Sequence, residues 1–170
     1  MSRLIYNQLA KNKLFNKSIK FGLNRIKLAL RLLGNPERKL NNVINVIGES
    51  GKFTTLYSLK SFIEANNQTV TTHVSPSIKD ISERFYMGKK YLSHKEIKDT
   101  IKEIEKLKVP LSIFECLTLV YIINASKINA DYNILETGCF WQLDSNNIND
   151  FPKIQICTNI NKQHLNFLRR

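Results

Sequence analysis

Residues 43–55 read VINVIGESGKFTT. The opening VINVI is a β-branched run stopped by Gly48, the pattern of a short buried strand. From Lys52 to Ala65, the apolar residues Leu56, Leu59, Phe62 and Ile63 recur at helical spacing, and Asn66 and Asn67 close the segment. Only GESG separates the strand from the helix. A strand, a tight glycine turn and a helix start form the setting of a phosphate-binding loop, because a helix N-terminus offers unpaired N–H groups and a positive dipole end to an anion. The full loop pattern is GxxxxGK[ST]. Here Val46 stands five positions before Gly51, so the turn is the shorter Gly48-Glu49-Ser50-Gly51-Lys52. Lys52 is placed to reach outer phosphate oxygens, and Thr54 or Thr55 to offer a hydroxyl to magnesium. A GxxGK turn alone fits an ordinary strand-to-helix connection as well as a nucleotide loop.

Working outward, GLNRIKLALRLL at 22–33 has helical spacing and is stopped by Gly34 and NPERK. Residues 69–74 read as a second strand, and 75–93 show no period and read as a long loop. Ser93 with Glu96 forms a capping box that opens a charged helix, predicted to run to Lys108 before Pro110 interrupts. Residues 113–126 read as a buried helix, and YNILE at 132–136 and KIQICT at 153–158 as strands. This alternation predicts an α/β domain with a mostly parallel sheet flanked by helices. No linker or internal repeat divides the chain.

The chain has 170 residues, 42% of them hydrophobic and 24% charged, enough for one domain with a real core. No apolar run approaches the roughly 20 residues of a membrane span, and the basic N-terminus lacks the apolar segment of a secretory signal. The net charge of +12 comes mostly from dispersed lysines, which read as a solvated basic surface. Cys116, Cys139 and Cys157 lie far apart in apolar stretches and read as buried reduced thiols, which suits a cytoplasmic protein.

The order of several segments resembles the folylpolyglutamate synthase/dihydrofolate synthase family, within the Mur ligase superfamily. GESGKFT resembles the family loop GTNGKG[ST], and GLNRIKLALRLL its G-L-x-R-[IV] helix. TVTTHVSPSI resembles its T-S-P-H segment, and ISERF the N-E-R-[IF] loop. SIFECLTLVYIINA resembles the F-E-x-x-T helix, YNILETGCFWQLDSNNI the I-L-E-V-G-L-G-G-R-L-D-A-T-N stretch, and ICTNINKQHLNFL the T-N-I-x-x-D-H segment. The resemblance runs in unbroken order from Gly22 to Arg170.

It implies a P-loop-type Mur ligase ATPase domain, incomplete here, whose parent reaction adds L-glutamate to a folate or dihydropteroate through an acyl phosphate. ATP and Mg²⁺ are the implied cofactors. Gly48, Ser50, Gly51, Lys52, Phe53 and Thr54 correspond to the ATP-binding loop, with Lys52 the catalytic cation. Ser75, Glu136 and His164 correspond to metal-binding positions. Gly22, Leu23, Ser112, Phe114, Glu115, Leu143, Asp144 and Ser145 correspond to segments lining the pterin pocket. Without the resemblance, Glu136 reads as a strand-end residue, Ser75 as a turn residue, and Phe114 and Trp141 as core. His73 and His94 match no ligand position.

Four departures stand out. Phe53 replaces a glycine and is expected to crowd the phosphates or strain the loop, should the position need a positive φ. Glu49 sets a carboxylate beside the phosphates. Phe140-Trp141-Gln142 replaces Gly-Gly-Arg. Gln163 replaces an aspartate, and Ser77 a histidine. Residues 1–170 are expected to be a truncated N-terminal ATP-binding domain without the C-terminal glutamate-ligase domain, inactive alone, with the loop a relic under relaxed selection. The alternatives are a non-enzymatic remnant that binds nucleotide, or one half of a split enzyme whose partner is a separately encoded C-terminal half. Neither nucleic acid nor membrane is expected as a partner. An exposed apolar sheet edge is expected where further strands would add.

Overall fold

The computed structural model describes residues 2–12, 15–16, 22–138, 141–149 and 152–161. Along the chain run α1 (Ser2–Lys11), β1 (Phe15–Asn16), α2 (Asn24–Leu32), β2 (Val43–Ile47), α3 (Lys52–Ala65), β3 (Val70–His73), β4 (Phe85–Met87), α4 (His94–Glu105), β5 (Leu111–Ser112), α5 (Ile113–Ala125), β6 (Tyr132–Glu136) and β7 (Ile154–Cys157). Short 3₁₀ turns occupy Pro36–Lys39, Ile81–Arg84 and Trp141–Leu143.

VINVI becomes the strand next to the sheet's centre because both its faces are covered. Its neighbours β6 and β7 run parallel to it, with Asn45 opposite Leu135 on one side and Gln155 on the other. The five-stranded order is β4-β3-β6-β2-β7, parallel except for β4, which returns antiparallel to β3. Alternation along the strands divides the core. Ile44, Val46, Val70 and Ile134 meet Leu56 and Ile63 of α3 on one face. On the other lie α1, α2, α4 and α5.

α5 is apolar all round, so it is buried all round: ten of its thirteen residues, from Glu115 to Ala125, are buried. Ser112 starts it with a capping box, the Glu115 carboxylate accepting from the Ser112 amide at 2.7 Å. Where α5 crosses the sheet, the polar groups are satisfied in a chain. Tyr121 Oη donates to Thr71 Oγ1 at 2.8 Å, Thr71 donates to Asn133 Oδ1 at 2.6 Å, and Asn133 Nδ2 donates to the Asn41 carbonyl at 2.7 Å.

The expected mostly parallel α/β sheet is present, and α3 has the bounds read from the sequence. Four expectations are corrected. The 75–93 loop contains a 3₁₀ turn, capped by Asp80, and the strand β4; a three-residue strand is too short to show alternation. α4 ends at Glu105 rather than Lys108, because Lys108 has φ 55, outside the right-handed helical region. Cys157 is exposed, since β7 lies at the sheet edge and is mostly open to solvent; Cys116 is buried as expected. The N-terminal helix α1 was not expected, although Ile5 and Leu9 are one helical turn apart and both buried. Cys139 lies outside the described residues. No helix among the described residues is long and apolar enough to cross a membrane. At β7, Ile154 is 47% exposed and Ile160 beyond it 86% exposed.

Candidate functional site

The site is built where β2, β3 and β6 end, beside the start of α3. Gly51 caps α3 with φ 83, and Gly48 leaves β2 with φ 123, both backbone shapes that side-chain-bearing residues rarely adopt. At Gly48 a glycine is required twice over: a Cβ there would meet the Thr158 hydroxyl and lie 2.9 Å from the Asn159 carbonyl oxygen. That crowding exists because residues 158–159 clamp the loop. Asn159 Oδ1 accepts from the Ser50 amide at 2.9 Å and the Glu49 amide at 3.2 Å. Thr158 Oγ1 donates to the Ser50 carbonyl at 2.7 Å. Lys52 folds back over the turn, its Nζ donating to the carbonyls of Gly48 at 2.8 Å and Glu49 at 3.1 Å.

Phe53 carries no strain. It is the second residue of α3, with no positive φ, so the glycine position of the family loop does not need one here. Its ring packs on Tyr57, one turn along, with centroids 4.4 Å apart, and stays 38% exposed. Thr54, next along α3, is exposed.

At the ends of the neighbouring strands, Glu136 Oε2 accepts from the Ser75 amide at 2.9 Å, where a cis bond leads into Pro76. Burial raises the pKa of Glu136, while the Ser75 amide and the charges of Lys52 and Arg84 pull it down. Two of the three expected metal positions, Ser75 and Glu136, therefore come together. The third, His164, lies outside the described residues. No cluster of three His, Cys, Asp or Glu side chains poised for a metal occurs among the described residues.

The pterin-pocket candidates gather around the first half of α5. Phe114 and Asp144 both border Gly138: a Cβ there would lie 2.7 Å from Asp144 Oδ2 and 3.8 Å from Phe114 Cζ. Asp144, buried, accepts from the amides of Gly138 at 3.1 Å and Asn146 at 2.8 Å. Ser145 Oγ pairs with Thr118 Oγ1 of α5 at 2.8 Å. Glu115 is tied to Arg25 of α2 at 3.2 Å, which brings Gly22 and Leu23 near the same helix. Ser112 and Glu115 spend their polar groups on capping α5; Leu143 is 47% exposed. Three further residues took no place in the sequence reading of the site: Thr158 and Asn159, which stand in the T-N-I segment, and Arg84, buried with Nη1 unpartnered and Nε donating to Tyr6 Oη at 2.8 Å.

Two buried groups titrate in opposite senses. Burial, then the Arg84 charge, hold His73 down at about 3; its ring lies against Phe85 and Tyr121, centroids 5.4 and 5.3 Å away. Burial raises Asp144 from 3.8 to about 6, against the two amide hydrogen bonds. From about pH 4 to 6 the folded chain keeps a proton on Asp144 that the unfolded chain releases, so Asp144 makes stability fall as pH rises through that window. Below the ordinary histidine value of about 6.5 the unfolded chain protonates His73 and the folded chain does not, so His73 makes stability fall as pH drops. Each slope is about 1.4 kcal/mol per pH unit at most, and between pH 4 and 6 they oppose. Urea midpoints recorded against pH should therefore change shape in two variants. Asp144→Asn loses stability more steeply than the parent as pH falls from 6 to 4; His73→Phe loses it less steeply than the parent over the same interval. Profiles parallel to the parent would refute the burial account.

Fold and loop together define an α/β domain in which a glycine turn links the parallel strand β2 to the start of α3. Comparison with known proteins gives the narrower kinship. No family model matches the chain. The chain is 32% identical over 156 residues to the dihydrofolate synthase/folylpolyglutamate synthase of Buchnera aphidicola from Schizaphis graminum, covering 91% of this chain and 37% of that enzyme. Escherichia coli FolC in complex with DHPP and ADP superposes with a TM-score of 0.85 at 29% identity, over 96% of this chain and 40% of that one. A bifunctional folylpolyglutamate synthase/dihydrofolate synthase with Mn, AMPPNP and L-glutamate bound gives 0.78 at 26% identity, over 87% and 36%. The chain is thus a relative of the folylpolyglutamate/dihydrofolate synthases and corresponds to their N-terminal part. It spans 36–38% of the length of the first four curated relatives.

Proposed function

We propose that this chain is the nucleotide-binding part of an ATP-dependent ligase that joins L-glutamate to a folate or dihydropteroate. The observation that carries the reading is the meeting of the 48–52 loop with Ser75 and Glu136 at one end of the sheet. The loop amides and the start of α3 favour a triphosphate. Lys52, released from its two carbonyls, supplies the cation that neutralises charge on the transferred phosphoryl group. Glu136 Oε1 and Ser75 Oγ, with His164, would hold Mg²⁺, an ion that prefers oxygen ligands. That cation, when bound, supplies charge neutralisation at the phosphates. There the substrate carboxylate would take the γ-phosphoryl group of ATP, with ADP leaving, and the glutamate amine would then displace phosphate from the acyl phosphate to form the amide. Gly22, Leu23, Phe114, Asp144 and Ser145 enclose the pterin side. The exposed β7 edge fits further strands, added next to Ile154 by the remaining part of such a ligase.

The metal assignment is tested by titrating Mn²⁺ in the presence of ATP and following free Mn²⁺ by electron paramagnetic resonance. The parent chain should bind Mn²⁺ more tightly when ATP is present, and Glu136→Gln should weaken that binding about tenfold or more. Equal binding by parent and variant would remove Glu136 from the metal site.

A further inference from the structure

Thr158 and Asn159 follow β7, the strand that runs parallel to β2. Ile47, the last residue of β2, lies opposite Cys157, the last of β7, so the two segments leave the sheet side by side. The ladder continues past both strands: the Thr158 amide donates to the Ile47 carbonyl at 3.0 Å, and the Glu49 amide to the Asn159 carbonyl at 3.2 Å. That register sets the Asn159 carboxamide against the turn. Two backbone N–H groups point at one of its terminal atoms, from Glu49 at 3.2 Å and from Ser50 at 2.9 Å, so that atom is the acceptor oxygen. The Ser50 carbonyl is taken as well, by the Thr158 hydroxyl at 2.7 Å. Residues 158–159 therefore satisfy the middle of the turn on both sides. The start of α3 differs. Its N-cap, Gly51, gives no side-chain cap, and the Gly51 carbonyl accepts from the Thr55 amide at 2.9 Å. The amides of Lys52, Phe53 and Thr54 come before that bond, in the first turn, where helix geometry supplies no partner.

We propose that Asn159 is a positioning residue for the nucleotide: it holds the Glu49–Ser50 segment on its own oxygen and so presents the amides of Lys52, Phe53 and Thr54 as the seat of the phosphates. The proposal rests on the reading of residues 48–52 as a nucleotide loop, and it adds which amides take the ligand. Those of Glu49 and Ser50 stay on Asn159 while nucleotide is bound. Those of Lys52 to Thr54 meet the phosphate oxygens at the positive end of the α3 dipole. A turn fixed beforehand lowers the ordering cost of binding. Phe53 contributes its backbone amide alone, which a phenylalanine supplies as well as a glycine.

The test is two-dimensional NMR of the 170-residue chain, with amide hydrogen exchange and a MgATP titration recorded for the parent, Asn159→Ala, Asn159→Asp and Asn41→Ala. In the parent, the Lys52, Phe53 and Thr54 amide signals should move with MgATP, while exchange at Glu49 and Ser50 stays slow throughout. Asn159→Ala should speed exchange at Glu49 and Ser50 about tenfold. It should also weaken MgATP binding about tenfold or more. Asn159→Asp keeps the acceptor and should restore the slow exchange. Asn41 donates to Asn129 Oδ1 at 3.0 Å, exposed at the far end of β2, and Asn41→Ala should change MgATP binding less than about twofold. Asn159 is exposed, so its variants should keep the parent's circular dichroism. Two results would overturn the proposal while the parent still binds: Asn159→Ala binding MgATP as the parent does, or exchange at Glu49 and Ser50 speeding up in the parent when MgATP is added. A folded parent that binds no MgATP overturns instead the nucleotide reading on which the proposal rests.

Discussion

Gly48→Ala should displace the 48–52 loop and abolish nucleotide binding, while Gly51→Ala, three residues on, should leave much of it intact. Both glycines have positive φ, so both substitutions carry backbone strain of about 1–2 kcal/mol. Only Gly48 is also hemmed in: its Cβ would collide with the Thr158 hydroxyl and sit 2.9 Å from the Asn159 carbonyl, whereas at Gly51 nothing lies within 4 Å. Overpacking of this kind adds about 1–3 kcal/mol. It also pushes apart the clamp in which Asn159 Oδ1 holds the Glu49 and Ser50 amides. Urea unfolding of the two variants measures the difference directly, with Gly48→Ala the less stable by about 1–3 kcal/mol. Equal losses would mean that residues 158–159 do not shape the loop.

The second large effect lies in α5. Leu119→Ala should lower unfolding stability by about 2–5 kcal/mol, the cost of lost burial plus a cavity that its neighbours cannot fill. Leu119 is 0% exposed, on a helix enclosed by the sheet and by α4 and α2. A domain of this size has only about 5–15 kcal/mol in hand, so the variant should melt markedly earlier. Leu28→Ala is the control: Leu28 is 42% exposed on α2, and its loss should cost well under that range, about 1 kcal/mol or less. A loss below about 1 kcal/mol at Leu119 would show that α5 is not the centre of the core.

How much of this was legible in the sequence depends on how local each feature is. The segment from Val43 to Ala65 announces itself, because a buried parallel strand is a continuous apolar run and α3 has a clear helical period. The capping box at Ser93 and Glu96 is a two-residue code, and the structure forms both its hydrogen bonds. β4 escaped notice because Phe85, Tyr86 and Met87 make a strand only by pairing with β3. At the site, the glycine turn and Lys52 could be placed by spacing alone. Asn159 could not, since it acts on Ser50 from 109 residues away. The ease with which Phe53 is accommodated was also hidden: whether a former glycine position needs a positive φ is a property of the backbone, and here it lies one residue inside the helix. The opposed titrations of His73 and Asp144 come from burial, which no local pattern encodes.

The account rests on the 48–52 loop holding a nucleotide, and isothermal titration calorimetry of the purified chain with MgATP tests this most directly. The predicted result is saturable, magnesium-dependent binding at one site, lost in Lys52→Ala while circular dichroism shows both proteins folded. A folded chain that gives no heat of binding, or a Lys52→Ala variant that binds as the parent does, would contradict it.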